Sequence, residues 1–552
     1  MSRPLAAAAL AALVLLSAAP DARARPADER EVEKLNQEAE QIGKTVEGIR
    51  GLKFHAAVPK GIQTRDELRD FIMADFDKDM PEEKIRAIEK AYVKIGFFKR
   101  GLDLKKTLVD LYSEQIAAFY NPEKKELFLI EHGGEEQNMV MAHELTHALQ
   151  DQNFDLVKLE KVVADNDDRE IGLKSLIEGD ATVVMIEYLC KERGIPLTAR
   201  NLPDIGSTMT MLNDLGGMMG GQGGEVLKSA PKILTANLIF SYMAGATFCQ
   251  KAVKRGGYEA VSKLFLDPPQ SSEQIMHPEK YLGKTRDEPI EVLIPDLSAE
   301  LGQGWKLLVK NVMGELNTSI LFKEKLSESR SDMAAAGWGG DAWQAIEGPG
   351  GQVVFAWYSV WDTAKDAAEF ADAYKDFAER RGDAARLEVN VKGDTVTIVD
   401  GHREFATVEK IRAAFAKAET HKGYGGAPVA DAAPVAGLTR LGALTAPEGW
   451  SKTAPDDEAV KQAWRTPEGA EVLLIESATV RPDGVTVKVT AKDGRKLVQS
   501  YHVANGHQQV ISVRGEPAAV DRAMADLEAA NGGKLGLPKT SSSQPKHEPT
   551  LF

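Results

Sequence analysis

Cysteine is nearly absent from this chain: two residues in 552, Cys190 and Cys249. That scarcity excludes a small fold held together by a disulfide framework. A surplus of positive charge is missing too, with 68 Lys and Arg against 83 Asp and Glu and a net charge of −15. No basic cluster interleaves with aromatics, which argues against nucleic acid or an anionic membrane surface as partner. Long apolar runs are lacking beyond the N-terminus, so no stable membrane insertion is expected. What remains is ordinary globular composition, 43% hydrophobic and 27% charged, in a chain long enough for roughly three domains.

The N-terminus reads as an address. Arg3 precedes the apolar stretch Leu5 to Ala19, and Ala22-Arg23-Ala24 offers a small-residue cleavage pattern. Residues 1–24 are therefore expected to be a signal peptide, and the mature chain to be exported to a periplasmic or extracellular space. An oxidising compartment permits Cys190 and Cys249 to pair, closing a loop worth about 4 kcal/mol in the chain-entropy model. Two separate buried thiols are the other reading.

Periodicity divides the rest into an α+β chain. Helices are expected over about Ala27 to Gly48, within Arg65 to Gly96, and over Leu104 to Ala118. Phe119 to Ile130 reads as a hairpin turned at Asn121-Pro122. Gly133-Gly134 ends it, and a helix to about Gln152 follows. After a loop at Asp165 to Asp168, a second helix starts near Ile171, and a third spans about Pro231 to Arg255. The Gly- and Met-rich residues 206–224 between them read as a loop that is a candidate lid. From Trp305 to Lys422 a strand pair, Val353 to Tyr358 with Thr395 to Val399, accompanies a helix opened by Asp362 as N-cap. Residues 423–437 form an Ala/Pro/Gly linker, 438–533 a second small α+β unit, and 534–552 a polar, disordered tail.

The chemistry concentrates in His143-Glu144-Leu145-Thr146-His147. Residues four apart on a helix differ by only about 40° in direction, so both imidazoles face one point. Neutral imidazole suits zinc, which needs one more protein ligand and an open position for water. Glu144 lies one step round, where a carboxylate can take a proton from that water. Glu178 on the following helix is the best third ligand, with Gly179 beside it permitting close backbone approach. Asp180 and Asp151 are its rivals. Asp180 stands about 200° round the helix from Glu178, and Asp151 lies too far along an unbroken helix to share a metal with His143. Both acids suit an outer position, orienting a ligand from behind.

An HExxH motif followed by a glutamate on the next helix resembles the gluzincin group of zinc metallopeptidases. Phe119-Tyr120-Asn121-Pro122, Glu178-Gly179-Asp180-Ala181 and the Pro268-Pro269…Ser271-Ser272-Glu273-Gln274…His277-Pro278-Glu279-Lys280-Tyr281 segment resemble, more narrowly, a little-characterised bacterial set of exported metallopeptidases. The resemblance covers roughly residues 30–300 and extends to Trp338-Gly339-Gly340-Asp341. It implies an α-rich zincin-like domain over 25–300 with one small sheet, followed by small α+β domains at 301–422 and 438–533. It implies one Zn2+ per chain, a polypeptide substrate, and hydrolysis with Glu144 as general base.

Two further expectations concern substrate handling. The strand Leu127 to Ile130 is expected to offer an edge to an extended peptide. His277, with Tyr281 as a substitute, is a candidate donor to the oxyanion; the competing reading makes residues 268–281 a packing belt. A catalytically silent zinc-containing envelope protein, and a zinc hydrolase acting on cell-wall amides, are the rival functions. Retention of Glu144 favours activity, since metal binding alone does not require it.

Overall fold

A computed structural model describes residues 29–115, 118–130, 135–206, 224–401 and 404–424, and shorter stretches between 451 and 530. The expected signal peptide, most of the 206–224 loop, nearly all of the 423–437 linker and the whole of the polar tail lie outside the described residues. The chain forms two compact units, residues 1–426 and 427–552. It is an α+β protein, mostly helical in its N-terminal part with small sheets and β-rich later. No helix among the described residues is long and apolar enough to cross a membrane.

The first unit opens with α1 (Glu29–Arg50), the short strand β1 (Lys60–Gln63), α2 (Arg65–Asp79), α3 (Glu82–Ile95) and α4 (Leu104–Gln115). Thr64 starts α2 with a capping box. Its hydroxyl accepts from Glu67 N at 3.2 Å, and Glu67 Oε2 accepts from Thr64 N at 2.8 Å. The expected hairpin is present as β2 (Ala118–Asn121) and β3 (Glu126–Ile130), turned where Asn121 Oδ1 accepts from Glu123 N and Lys124 N. The sheet order is β1-β3-β2, with β1 parallel and β2 antiparallel to β3. Leu127 to Ile130 is therefore a central strand with both edges taken, and it cannot receive a peptide. Its parallel partner lies more than sixty residues earlier, where no hairpin signal announces it.

Three helices carry the site. They are α5 (Glu135–Phe154), α7 (Asp167–Glu192), which follows the short α6 (Leu156–Val163), and, after α8 (Gly224–Ser229), α9 (Lys232–Leu266). Asn166 caps α7 by accepting from Arg169 N at 3.0 Å, so Asp167 and Asp168, expected in a loop, form its first turn. Helices α7 and α9 run in the same direction. Gly245 meets Gly179 so closely that a Cβ on Gly179 would lie 2.2 Å from the Gly245 carbonyl carbon, and Tyr258 Oη donates to Glu187 at 3.0 Å further along both helices. Helix α9 also runs past its expected end at Arg255. Gly257, at φ +72°, kinks it, and the apolar spacing of Val261, Leu264 and Phe265 resumes it to Leu266.

Beyond α10 (Ser272–Met276) and α11 (Pro278–Leu282) come β4 (Ile290–Leu293), α12 (Leu297–Leu301), β5 (Lys306–Asn311), α13 (Gly314–Phe322), α14 (Glu328–Ala335), β6 (Trp338–Glu347) and β7 (Val353–Trp361). There follow α15 (Ala364–Arg381), β8 (Leu387–Lys392), β9 (Thr395–Asp400), α16 (Phe405–Phe415) and β10 (Glu419–Lys422), which pairs with β4. The five-stranded sheet is ordered β5-β6-β7-β9-β8 and contains the expected β7–β9 pair. Thr363, not Asp362, caps α15, accepting from Asp366 N at 3.2 Å. Residue 300 does not divide the packing. Ile85, Tyr92 and Phe97 share one core with Trp343, Phe355 and Phe377, and the Tyr92 ring meets Trp343 edge-on at 6.4 Å. The tryptophans fill this core, with Trp338, Trp343, Trp357 and Trp361 all buried.

The second unit holds a six-stranded antiparallel sheet: β11 (Ser451–Lys452), β12 (Val460–Arg465), β13 (Glu471–Ser477), β14 (Thr486–Thr490), β15 (Lys496–Ala504) and β16 (His507–Gly515), ordered β11-β12-β13-β16-β15-β14. Its closing helix α17 (Pro517–Ala530) packs on β15 and β16 through buried Val520, Met524 and Leu527.

Candidate metal centre

Helix α5 is buried from Val140 to Asp151, so its two histidines are not those of a solvated surface helix. Apolar Met141, Leu145 and Leu149 face Leu127 and Leu129 of the three-stranded sheet and Ile42 and Val46 of α1. That packing turns His143 and His147 toward α7. There Glu178 Oε2 lies 3.3 Å from His143 Nε2 and 3.4 Å from His147 Nε2, and the two imidazole nitrogens are 3.0 Å apart. Ligand atoms about 2.0–2.1 Å from a tetrahedral zinc stand about 3.3 Å from one another. The three atoms already form a triangle of that size, so the residues fit a metal ion without rearrangement.

Charge distribution agrees. Burial works against a proton on His147, but the Glu178 carboxylate outweighs it and raises His147 to about 9. Burial also opposes charge on Glu178, yet His147 first and His143 second hold its carboxyl well below the usual range. Burial lowers His143. His147 and Glu178 thus hold opposite charges across the point that a divalent cation would occupy.

Glu144 stands beside the triangle. Its Oε2 accepts from Tyr120 N on β2 at 2.8 Å, while Oε1 is buried without a hydrogen-bond partner among the described residues. Burial is the main cause that lifts this carboxyl to about 8. The arrangement leaves one oxygen anchored by the edge strand and one unspent.

Behind the ligands, His147 Nδ1 meets Gln150 Oε1 at 2.9 Å, and Gln150 Nε2 donates to Asp180 Oδ2 at 2.9 Å and to Ile177 O at 3.1 Å. Arg50 Nε donates to the same Asp180 oxygen at 2.9 Å, both side chains being fully buried. Asp180 therefore reaches the histidine through Gln150. Asp151 is turned away: it accepts from Tyr120 Oη at 2.6 Å, from Lys125 Nζ at 2.8 Å and from Leu156 N at 3.1 Å, with no hydrogen bond to either histidine among the described residues. On its other face His143 stacks with Tyr242 of α9, ring centroids 5.9 Å apart. Sequence reading missed Gln150, Arg50, Tyr242 and the Tyr120 amide. Of these only Gln150, three residues after His147, carried a local signal.

The other expected residues do not join the triangle. His277 Nε2 pairs with Glu315 at 3.0 Å, and the Tyr281 hydroxyl donates to Asp267 O. Their segment docks on the start of α7, where Asp168 accepts from Ser272 N at 3.1 Å. Asp168 precedes Glu178 by ten residues, about 15 Å along the helix, so this segment packs at the far end of α7. Cys190 and Cys249 are free and buried. Cys249 Sγ lies 3.5 Å from Leu176 O, and Leu176 is about 21 Å along α7 from Cys190, far beyond disulfide reach. A second acidic group, Glu273, Asp287 and Asp362, surrounds Lys280 Nζ at 2.7, 2.9 and 3.1 Å, so an ammonium fills the place of a cation.

Comparison with known proteins adds a label without an activity. No curated protein matches. A solved structure from Chloroflexus aurantiacus, described provisionally as a hydrolase with a novel fold, aligns over 47% of this chain and 91% of its own at 16% identity and a TM-score of 0.31. A likeness of that size carries neither fold nor activity over. Residues 306–412, the five-stranded sheet and its helices, match the family model named Domain of unknown function (DUF8575).

Proposed function

We propose that this chain is an exported zinc-dependent peptidase in which His143, His147 and Glu178 hold the metal and Glu144 is the general base. The carrying observation is the buried triangle of ligand atoms with edges of 3.0, 3.3 and 3.4 Å, with a carboxylate of one unspent oxygen next to it. A zinc ion held there would supply a Lewis acid and bring bound water toward neutrality in pKa. Glu144 Oε1 takes a proton from water and returns it to the leaving amine, while Tyr120 N holds Oε2 and keeps the carboxylate aimed. Asp180 and Gln150 fix the orientation of His147 by occupying Nδ1 and leaving Nε2 free to ligate. The strand that meets a substrate backbone is β2, which lies at a sheet edge and already points Tyr120 N at Glu144. The leader-like N-terminus supports an extracytoplasmic location.

The test is metal analysis of the purified chain together with cleavage of an unfolded casein-type protein. The reading requires about one zinc per chain and cleavage that chelator abolishes and zinc restores. Full zinc without cleavage would leave a silent binding protein.

A further inference from the structure

A cavity of about 100 Å3 lies between α4, α7 and α9. Along α7 its wall is Asp167, Glu170, Ile171 and Lys174. These precede Glu178 by eleven, eight, seven and four residues, which places all of them on one helical stripe with the metal ligand. Along α9 its wall includes Asn237 and Ser241, and the next residue, Tyr242, stacks on His143. The near end of the cavity, at Lys174, thus lies one helical turn from Glu178, and the cavity runs from there toward the beginning of α7.

Its polar lining is unbalanced. Asp167 Oδ1, Glu170 Oε2, Asn237 Oδ1 and Asn317 Oδ1 are buried oxygens without a hydrogen-bond partner among the described residues, and all four belong to cavity-lining side chains. Every one of them is an acceptor, so what is missing is a donor. Two carboxylates face one ammonium, Lys174, leaving the lining one positive charge short. Burial is the main cause that lifts both acids, Asp167 to about 6 against the opposing charge of Lys84, and Glu170 well above its ordinary value against that of Lys174. The remaining wall is apolar, with Leu108, Leu111, Ile233 and Leu234 among it. A long methylene stem carrying a terminal cation matches both halves of this lining.

We propose that this cavity receives the side chain of an arginine or lysine next to the scissile bond, with Glu170, Asp167 and Asn237 accepting from its charged head. The proposal rests on the peptidase reading, since it assigns that enzyme's substrate class. Glu170 lies about 12 Å along α7 from Glu178, a span that a long side chain bridges and a short one does not.

Two measurements on the full chain test it. The first maps cleavage sites in an unfolded protein by mass spectrometry. Bonds flanked by Arg or Lys should dominate, and replacing arginine by citrulline in a cleaved peptide should lower kcat/KM by about 30-fold or more, as loss of a buried charge partner does. Glu170→Gln should erase that discrimination, and Asn237→Asp, which adds a carboxylate, should sharpen it. The second measures binding of acetyl-arginine amide against acetyl-norleucine amide by calorimetry to the Glu144→Gln protein, which needs no turnover. Cleavage indifferent to basic residues, or equal binding of the two amides, overturns the proposal and leaves the peptidase reading intact. Selective binding of the arginine amide, with a wild-type chain that cleaves nothing, overturns the peptidase reading and with it the assignment to a substrate.

Discussion

Two of the places where the first unit buries a carboxylate treat it in opposite ways. In the five-stranded sheet, Asp341 accepts from Trp338 Nε1 at 2.8 Å, Trp357 Nε1 at 2.9 Å, Met313 N at 2.9 Å and Gly314 N at 3.0 Å. Four donors from three elements converge on one acid, and Gly340 beside it passes β4 so closely that a Cβ would lie 2.0 Å from Ile290 O. Between α5 and α7 the pattern reverses. His143 Nδ1 and Glu144 Oε1 are buried and unpartnered among the described residues, and three ligand atoms face one another within 3.4 Å. A satisfied buried acid organises a fold, whereas one left short of partners stores the capacity to bind or react.

The contrast is sharpest in the effect of removing each acid. Glu144→Gln should lower kcat by about 10³- to 10⁴-fold while zinc content and melting temperature stay at their wild-type values. Near-normal cleavage would place the proton acceptor elsewhere. Asp341→Ala should do the converse: four N–H groups lose their acceptor, and at roughly 1 kcal/mol or more each the chain should lose about 3 kcal/mol or more of stability in urea titration. Metal stoichiometry of the fraction still folded should not change; if metal is lost before structure, the sheet is not the scaffold described here.

Gln150→Ala probes the layer between the two extremes. It frees His147 Nδ1 and unties Asp180, and should weaken zinc affinity by about 10- to 100-fold, read by competition with a chromogenic chelator. Unaltered affinity would make Gln150 a packing residue. The smallest effect is expected at His277. Its hydrogen bond to Glu315 raises the imidazole above the ordinary value, so its contribution is fully present below the unfolded-state pKa and is lost as pH rises through the folded-state pKa. With the His277 side chain 39% exposed, His277→Ala should cost at most about 1 kcal/mol at pH 5 and less at pH 8. A large loss of turnover in that variant would return His277 to the catalytic group.

How far the sequence could be read depended on the range of the interaction. The hairpin around Asn121-Pro122 and the strands Val353 to Tyr358 and Thr395 to Val399 were visible because their determinants lie within a few residues. The N-cap of α15 was misplaced by one position because Asp362 and Thr363 both have the right chemistry, and only the ion pair of Asp362 with Lys280 at 3.1 Å separates them. The status of Leu127 to Ile130 was misread for a different reason. An apolar alternation identifies a strand but not its neighbours, and β1 lies on the other side of three helices in sequence. The expected break near residue 300 failed similarly: the end of the motif-bearing segments was taken for a boundary, while aromatic packing across it makes one core.

By itself the sequence determined the geometry of His143, Glu144 and His147, since a helical period acts over four residues. It also marked Glu178 with Gly179 behind it, and a glycine there does meet Gly245 at backbone contact. Tertiary structure decided everything that joins distant segments. It brought Glu178 to both histidines, set Tyr120 N on Glu144, tied Arg50 to Asp180 across 130 residues, and sent His277 to Glu315 rather than to the triangle. It also left four acceptor oxygens of cavity-lining side chains without a partner among the described residues. Local periodicity points a side chain relative to its own helix axis; only the packing of one helix against the next determines what that side chain meets.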